Sequence, residues 1–155
     1  MGLDMYLTTR LYCSGQTDND KLNKIQEILK EDFSNDKDAI DSIDIDITIG
    51  YWRKANHIHQ WFVDNVQNGE DDCETNLVTR DDLRKLRAAC VEALLHKTEP
   101  DEFVLSLVLP PVSGFFFRST DYDDYYFETC EKTIKIIDTC LALPDKYSFY
   151  YHSSW

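Results

Sequence analysis

A chain of 155 residues that is 43% hydrophobic, 29% charged and 13% aromatic has the make-up of a globular protein and the length of one domain with a sizeable core, and it is read as a single globular domain over 1–155. Its 29 acidic against 16 basic residues give a formal charge of −13, a field that repels phosphate backbones and argues against direct nucleic-acid binding. The five cysteines are odd in number and lack Cys-x-x-Cys spacing, so they read as reduced thiols, and no apolar leader or run near 18 residues appears, which favours a cytoplasmic protein without a membrane span.

Along the chain, Leu3 to Tyr12 partly alternates apolar with polar residues and is rich in β-formers, predicting a strand ended by Ser14-Gly15. From Asp20 to about Glu31, Leu22, Ile25, Ile28 and Leu29 recur at helical spacing behind Asp18 or Asn19 as cap. Ile43, Ile45, Ile47 and Ile49 alternate strictly with polar residues and predict a second strand, after which Gly50 marks a turn. A helix is expected over Tyr51 to Val66, with Ala55, Ile58, Phe62, Val63 and Val66 as its stripe and Asn68-Gly69 as its stop.

Glu70 to Glu74 reads as an acidic loop, and Thr79-Arg80-Asp81-Asp82 as a capping box opening a helix through Leu83, Leu86, Val91, Leu94 and Leu95. Phe103 to Leu109 is apolar, and Pro110-Pro111 with Ser113-Gly114 forces an extended or turning path. Thr120 with Asp123 forms a second candidate box, opening a helix through Phe127, Ile134, Ile137 and Leu141 as far as Leu143-Pro144. Lys146 to His152 is strand-like and suited to pair with the first strand. About four helices and three or four strands result, an α+β fold with a small, mainly antiparallel sheet covered by helices.

Two segments, Tyr51 to Phe62 and Ser113 to Phe127, mix aromatic with hydrogen-bonding and charged residues more densely than a core requires. Rings supply buried area and stacking while polar groups set orientation, the make-up of a small-molecule pocket. On a helix from Tyr51, Arg53, His57 and Trp61 lie four apart on one face. The expected ligand-binding set is therefore Trp52, Arg53, Asn56, His57, Trp61, Phe117, Arg118 and Tyr122.

Arg53, Lys54 and Arg118 form a local positive cluster, and Arg118-Ser119-Thr120 at a helix start suits an anion, although Asp121, Asp123 and Asp124 already bring negative charge there. A plainer reading makes Phe115 and Phe117 core, Thr120 only a cap, and Tyr122, Tyr125 and Tyr126 packing residues. His57 and His59 at helical spacing point roughly 200° apart and do not share a metal ion. No phosphate loop, calcium loop, Gly-x-Ser-x-Gly elbow or His-Glu-x-x-His helix is present, so no catalytic residue, metal or cofactor is assigned.

Met1-Gly2-Leu3-Asp4-Met5-Tyr6-Leu7, Tyr51-Trp52-Arg53-Lys54-Ala55-Asn56 with Ile58-His59 and Trp61-Phe62, Ser113-Gly114-Phe115-Phe116-Phe117 with Ser119-Thr120-Asp121-Tyr122-Asp123, and Ser153-Ser154-Trp155 together resemble a family of small uncharacterised proteins of tailed bacteriophages and prophages. The resemblance spans the chain and implies a phage accessory protein in the host cytoplasm, without supplying a mechanism. With the paired segments, it leads to the expectation of a non-catalytic protein that binds and sequesters a small nucleotide-like ligand, a host defence signal in that setting. Two alternatives stand beside it: an acidic inhibitor of a host protein that imitates nucleic acid, and a nucleotide hydrolase using His57 or His59. Homo-oligomer formation is left open.

Overall fold

Alternating strands and capped amphipathic helices fold into an α+β architecture with a four-stranded antiparallel sheet. The computed structural model describes residues 2–14, 16, 19–29, 31–32, 40–115 and 117–155. In chain order these form β1 (Asp4–Ser14), α1 (Asn19–Leu29), β2 (Ser42–Arg53), α2 (Asn56–Asn65), β3 (Asn76–Val78), α3 (Arg80–Leu95), α4 (Glu102–Val108), α5 (Asp124–Ala142) and β4 (Ser148–Ser154). The strand order is β2-β1-β4-β3, so the last strand lies beside the first, as its pattern predicts. β3 pairs antiparallel with β4, placing Asn76 opposite Tyr151 and Val78 opposite Phe149. Among the described residues no helix is long and apolar enough to cross a membrane.

Contacts group the chain into two compact units, Met1–Thr9 with Thr48–Trp155, and Arg10–Ile47. In the smaller unit, Leu11, Cys13 and Leu22 are buried, while Arg10 binds Asp46 through two hydrogen bonds of 2.7 and 3.0 Å. α1 begins at Asn19; of its two expected caps, Asn19 is the first helical residue and Asp18 lies outside the described residues, as does Gly15. In this unit Ile28 is exposed, although the helical pattern assigns it to the apolar stripe.

The larger unit holds the core. Met5 and Leu7 of β1, Phe149 and Tyr151 of β4, and Trp52 of β2 are buried with residues of α2, α3 and α5. Tyr151 stacks on Phe62 with ring centroids 3.9 Å apart and planes 10° from parallel, a contact worth about 0.5–1.5 kcal/mol beyond its buried area. The Thr79 capping box forms as expected: Asp82 N–H donates to Thr79 Oγ1, and Asp82 accepts from Thr79 N–H. α3 turns Cys90 and Ala93 inward, whereas Val91 and Leu95 of the expected stripe are exposed.

Several expectations are corrected by long-range packing. β2 does not stop at Gly50 but continues to Arg53, with Gly50 and Trp52 buried and Tyr51 and Arg53 exposed. The chain turns instead at Lys54, whose φ of 56° lies in the left-handed region and whose N–H donates to Leu3 O at 2.7 Å. The helix expected from Tyr51 therefore begins at Asn56, and Trp52 and Arg53 belong to a strand. At its other end the helix stops as expected, where Gly69, at φ 83°, donates its N–H to Val63 O at 2.8 Å.

The apolar run Phe103 to Leu109 supplies an unforeseen helix, α4, capped by Asp101, which accepts from the N–H groups of Phe103 and Val104. α5 is capped by Asp123 alone, accepting from Tyr126 N–H at 3.0 Å; Thr120 lies outside that cap.

Gly50 is required by close approach. A Cβ there would meet Ile136 Cγ2 of α5 at 2.8 Å, Trp52 at 3.0 Å and Leu7 Cβ at 3.2 Å. Gly50→Ala is expected to destabilise the fold by about 1–3 kcal/mol through overpacking, read as a lower urea midpoint at unchanged slope. An unshifted midpoint would show that α5 does not press on the sheet at this point.

Candidate functional site

The first turn of α2 brings the two aromatic and polar segments together. Asn56 is 2% exposed and uses both ends of its amide: Nδ2 donates to Arg118 O at 3.3 Å and Ser119 O at 3.1 Å, while Oδ1 accepts Val112 N–H at 3.4 Å. The Tyr125 hydroxyl donates to Arg53 O and closes a second tie between the same segments. The space left at this junction, lined by Lys54, Asn56, His57, Arg118 and Tyr125 among others, is about 10 Å³. That is room for about one water molecule and not for a ligand.

The expected site residues are consequently spread over several environments. Trp52 is 1% exposed, and its indole N–H donates to Thr133 Oγ1 at 2.8 Å, which makes it part of the core. Arg53 lies on the other face of β2, 3.5 Å from Asp4. Arg118 binds Asp123 at 3.1 Å and sits 4.2 Å above the Tyr125 ring, so the expected anion-receiving cation already has a carboxylate partner. Tyr122 lines an acidic depression of about 410 Å³ with Glu102, Asp121 and Asp123.

Phe117 packs edge-on against His59, with centroids 5.4 Å apart. Phe115, by contrast, is 95% exposed, which overturns its reading as core. Tyr126 is buried and its hydroxyl donates to Leu109 O at 2.9 Å, so it is a packing residue whose hydroxyl is satisfied by the chain itself.

The two histidines enter separate networks, as their spacing implies. His57 Nε2 lies 2.9 Å from Thr129 Oγ1. The Thr129 hydroxyl donates to the carbonyls of Tyr125 and Tyr126, which leaves its oxygen to accept the Nε2–H of a neutral imidazole. Burial lowers the His57 pKa to about 3. His59 places Nδ1 2.7 Å from the Tyr151 hydroxyl and Nε2 3.0 Å from Asp71 Oδ2.

Two of the buried thiols, Cys90 and Cys140, are held protonated. The neighbouring Cys130 thiol, with burial, holds the Cys90 pKa far above its usual range, and burial raises that of Cys140 to about 12. Protonated thiols are poor nucleophiles and poor metal ligands. Among the described residues no cluster of three His, Cys, Asp or Glu is disposed to hold a metal ion.

One ligand-sized cleft does include expected residues. Trp61, Gln60, Asp64 and Asn65 of α2 face Leu107, Val108, Leu109 and Pro110 across about 330 Å³, with His57 also in the lining. Trp61 is half-buried and braced edge-on against Phe62 at 5.5 Å. Gln60 Nε2 donates to Asp64 Oδ1 at 2.8 Å, and Asn65 Nδ2 donates to Trp61 O at 2.8 Å. These bonds use donors and leave Gln60 Oε1, Asp64 Oδ2 and Asn65 Oδ1 as acceptors.

Sequence reasoning found Trp61 and His57 but missed the opposite wall, since nothing local in Leu107 to Pro110 points to Trp61. No protein-family model, curated protein or solved structure matches the chain.

Because the His57 pKa is lowered from 6.5 to about 3 in the folded chain, the unfolded chain binds the extra proton between those values. Stability from this group is complete above about pH 6.5 and falls by about 1.4 kcal/mol per pH unit as the pH drops towards 3. In denaturation series across that window, His57→Gln is expected to show a slope shallower by about this amount. Equal slopes in both proteins would mean that His57 is not buried as the neutral base.

Proposed function

We propose that the chain is a non-catalytic binding protein that sequesters a small nucleotide-like molecule, seating its base in the cleft between Trp61 and Leu107 to Pro110. The observation that carries this reading is the cleft itself: about 330 Å³, within the roughly 300–1,000 Å³ of ligand sites, with one aromatic wall, one aliphatic wall and a few polar groups. A flat ring stacking on Trp61 would bury area on both faces.

The acceptors left on Gln60, Asp64 and Asn65 favour a base whose edge carries amino groups. The formal charge of −13 directs any phosphate towards solvent and disfavours long phosphate chains. In the phage setting that the resemblance implies, withholding such a molecule would silence a host defence signal.

The expected alternative, an acidic inhibitor of a host protein, draws support from Phe103 and Leu107, which are exposed on α4 close in sequence to Glu99, Asp101 and Glu102. An apolar strip among acids suits a basic, apolar partner.

A thermal-shift panel of nucleosides, mononucleotides and cyclic dinucleotides tests the binding reading. A ligand at about 100 times its Kd is expected to add about 2.7 kcal/mol and raise Tm by about 5–10 °C. Trp61→Ala is expected to abolish that shift, and chromatography should return the ligand chemically unchanged. A flat panel, or a shift that survives Trp61→Ala, would overturn the assignment, and a flat panel would favour the protein-binding alternative.

A further inference from the structure

Phe115, Phe117 and Trp155 stand around a recess of about 250 Å³ whose remaining lining residue, among the described residues, is Asp71. Among the described residues it shares no lining residue with the Trp61 cleft, so its occupancy can be read separately. Three rings and one carboxylate around a single open space are an unusual use of apolar surface. Phe115 is 95% exposed and stands at the solvent side of the recess.

Each wall has a physical reason for its position. Phe117 is set by its edge-on contact with His59 at 5.4 Å. Trp155 is held by its indole N–H, which donates to Asp71 Oδ1 at 3.1 Å. Asp71 is fixed in turn by His59 Nε2, 3.0 Å from Oδ2.

The Tyr151 hydroxyl, whose pKa burial raises well above its ordinary value, lies 2.7 Å from the other ring nitrogen of His59, Nδ1. The Asp71 carboxylate is thereby oriented from two sides, by the His59 ring at Oδ2 and by the Trp155 indole N–H at Oδ1. Among the described residues no Lys or Arg nitrogen lies within 4.0 Å of Asp71.

The ligand class follows from what this arrangement offers and lacks. Ring faces attract cations through their quadrupoles, and the carboxylate adds a full negative charge. Both Asp71 oxygens already accept a hydrogen bond, one from His59 and one from Trp155. A primary ammonium or a guanidinium would lose water there and find few acceptors in return. A quaternary ammonium has no N–H to satisfy and is weakly hydrated, so it leaves water at low cost and meets the rings with its methyl groups. The chain's charge of −13 draws any such cation towards it.

We propose that Phe115, Phe117, Trp155 and Asp71 form an aromatic cage for a trimethylammonium group, carried either by a free choline-like molecule or by a trimethylated lysine. The cage is preformed, since Trp155 and Phe117 are held by the Asp71–His59–Tyr151 chain. Phe115 supplies the outer wall.

Tetramethylammonium titrated against the protein, followed by the Trp155 indole N–H resonance, is the direct test. The expected result is saturable binding in the millimolar range, weakened about tenfold or more for the neutral choline isostere 3,3-dimethylbutan-1-ol and for Asp71→Asn. Phe115→Ala, at an exposed position, should keep the circular dichroism spectrum and lose about tenfold in affinity. Choline and a trimethyllysine peptide form the two further arms, and whichever binds more tightly than tetramethylammonium identifies the carrier. No saturation by about 100 mM, equal binding of the neutral isostere, or unchanged affinity in Phe115→Ala would overturn the cage.

Discussion

The buried amide of Asn56 holds chain segments more than 50 residues away against the first turn of α2: Val112 donates to its oxygen, and the carbonyls of Arg118 and Ser119 accept from its nitrogen. Each such bond contributes about 1 kcal/mol net, but a buried polar group left without its partner costs about 1–3 kcal/mol, so the amide acts as a strong constraint on a stretch that forms no regular element. The cleft and the recess both take a wall from this part of the chain, Leu109 and Pro110 for one, Phe115 and Phe117 for the other. Their shapes depend on where Asn56 places it.

The same turn explains why so many polar groups lie in the interior. Asn56, His57, Ile58 and His59 are four consecutive buried residues, so the helix is enclosed on every side at its start and no polar side chain there can reach solvent. Each must find a partner inside the protein, and each does: Asn56 with backbone, His57 with Thr129, His59 with Tyr151 and Asp71. The third network continues outward through Asp71 to Trp155. Interior hydrogen bonding thus positions a surface carboxylate and a surface ring, which is how a fold requirement becomes a binding feature.

What the sequence made legible were the elements whose signals are local. Alternation marks β1 and most of β2, and Thr79 with Asp82 marks the start of α3. Gly50 misled because a glycine is usually a turn signal, whereas here it answers to Ile136, 86 positions later, across the sheet. Trp52 and Arg53 were placed on the following helix for the same reason. Once β2 runs on to Arg53, alternation buries the tryptophan and turns the arginine out. α4 escaped notice because it is only seven residues long and its helical period is lost in an apolar run. The pairing of Trp155 with Asp71, in a loop that reads as solvated acid, could not be seen locally at all. The nearness of the two aromatic segments was legible, but the residue that joins them acts as a clamp where a ligand contact was expected.

Hydrogen exchange at the Val112 amide in the native protein and in Asn56→Ala tests the clamp most directly. If the Asn56 oxygen holds that N–H, the substitution should speed its exchange by about tenfold or more, while amides within α3 keep their protection. Unchanged protection at Val112 would contradict the account, because the segment that walls both binding surfaces would then be held by something other than Asn56.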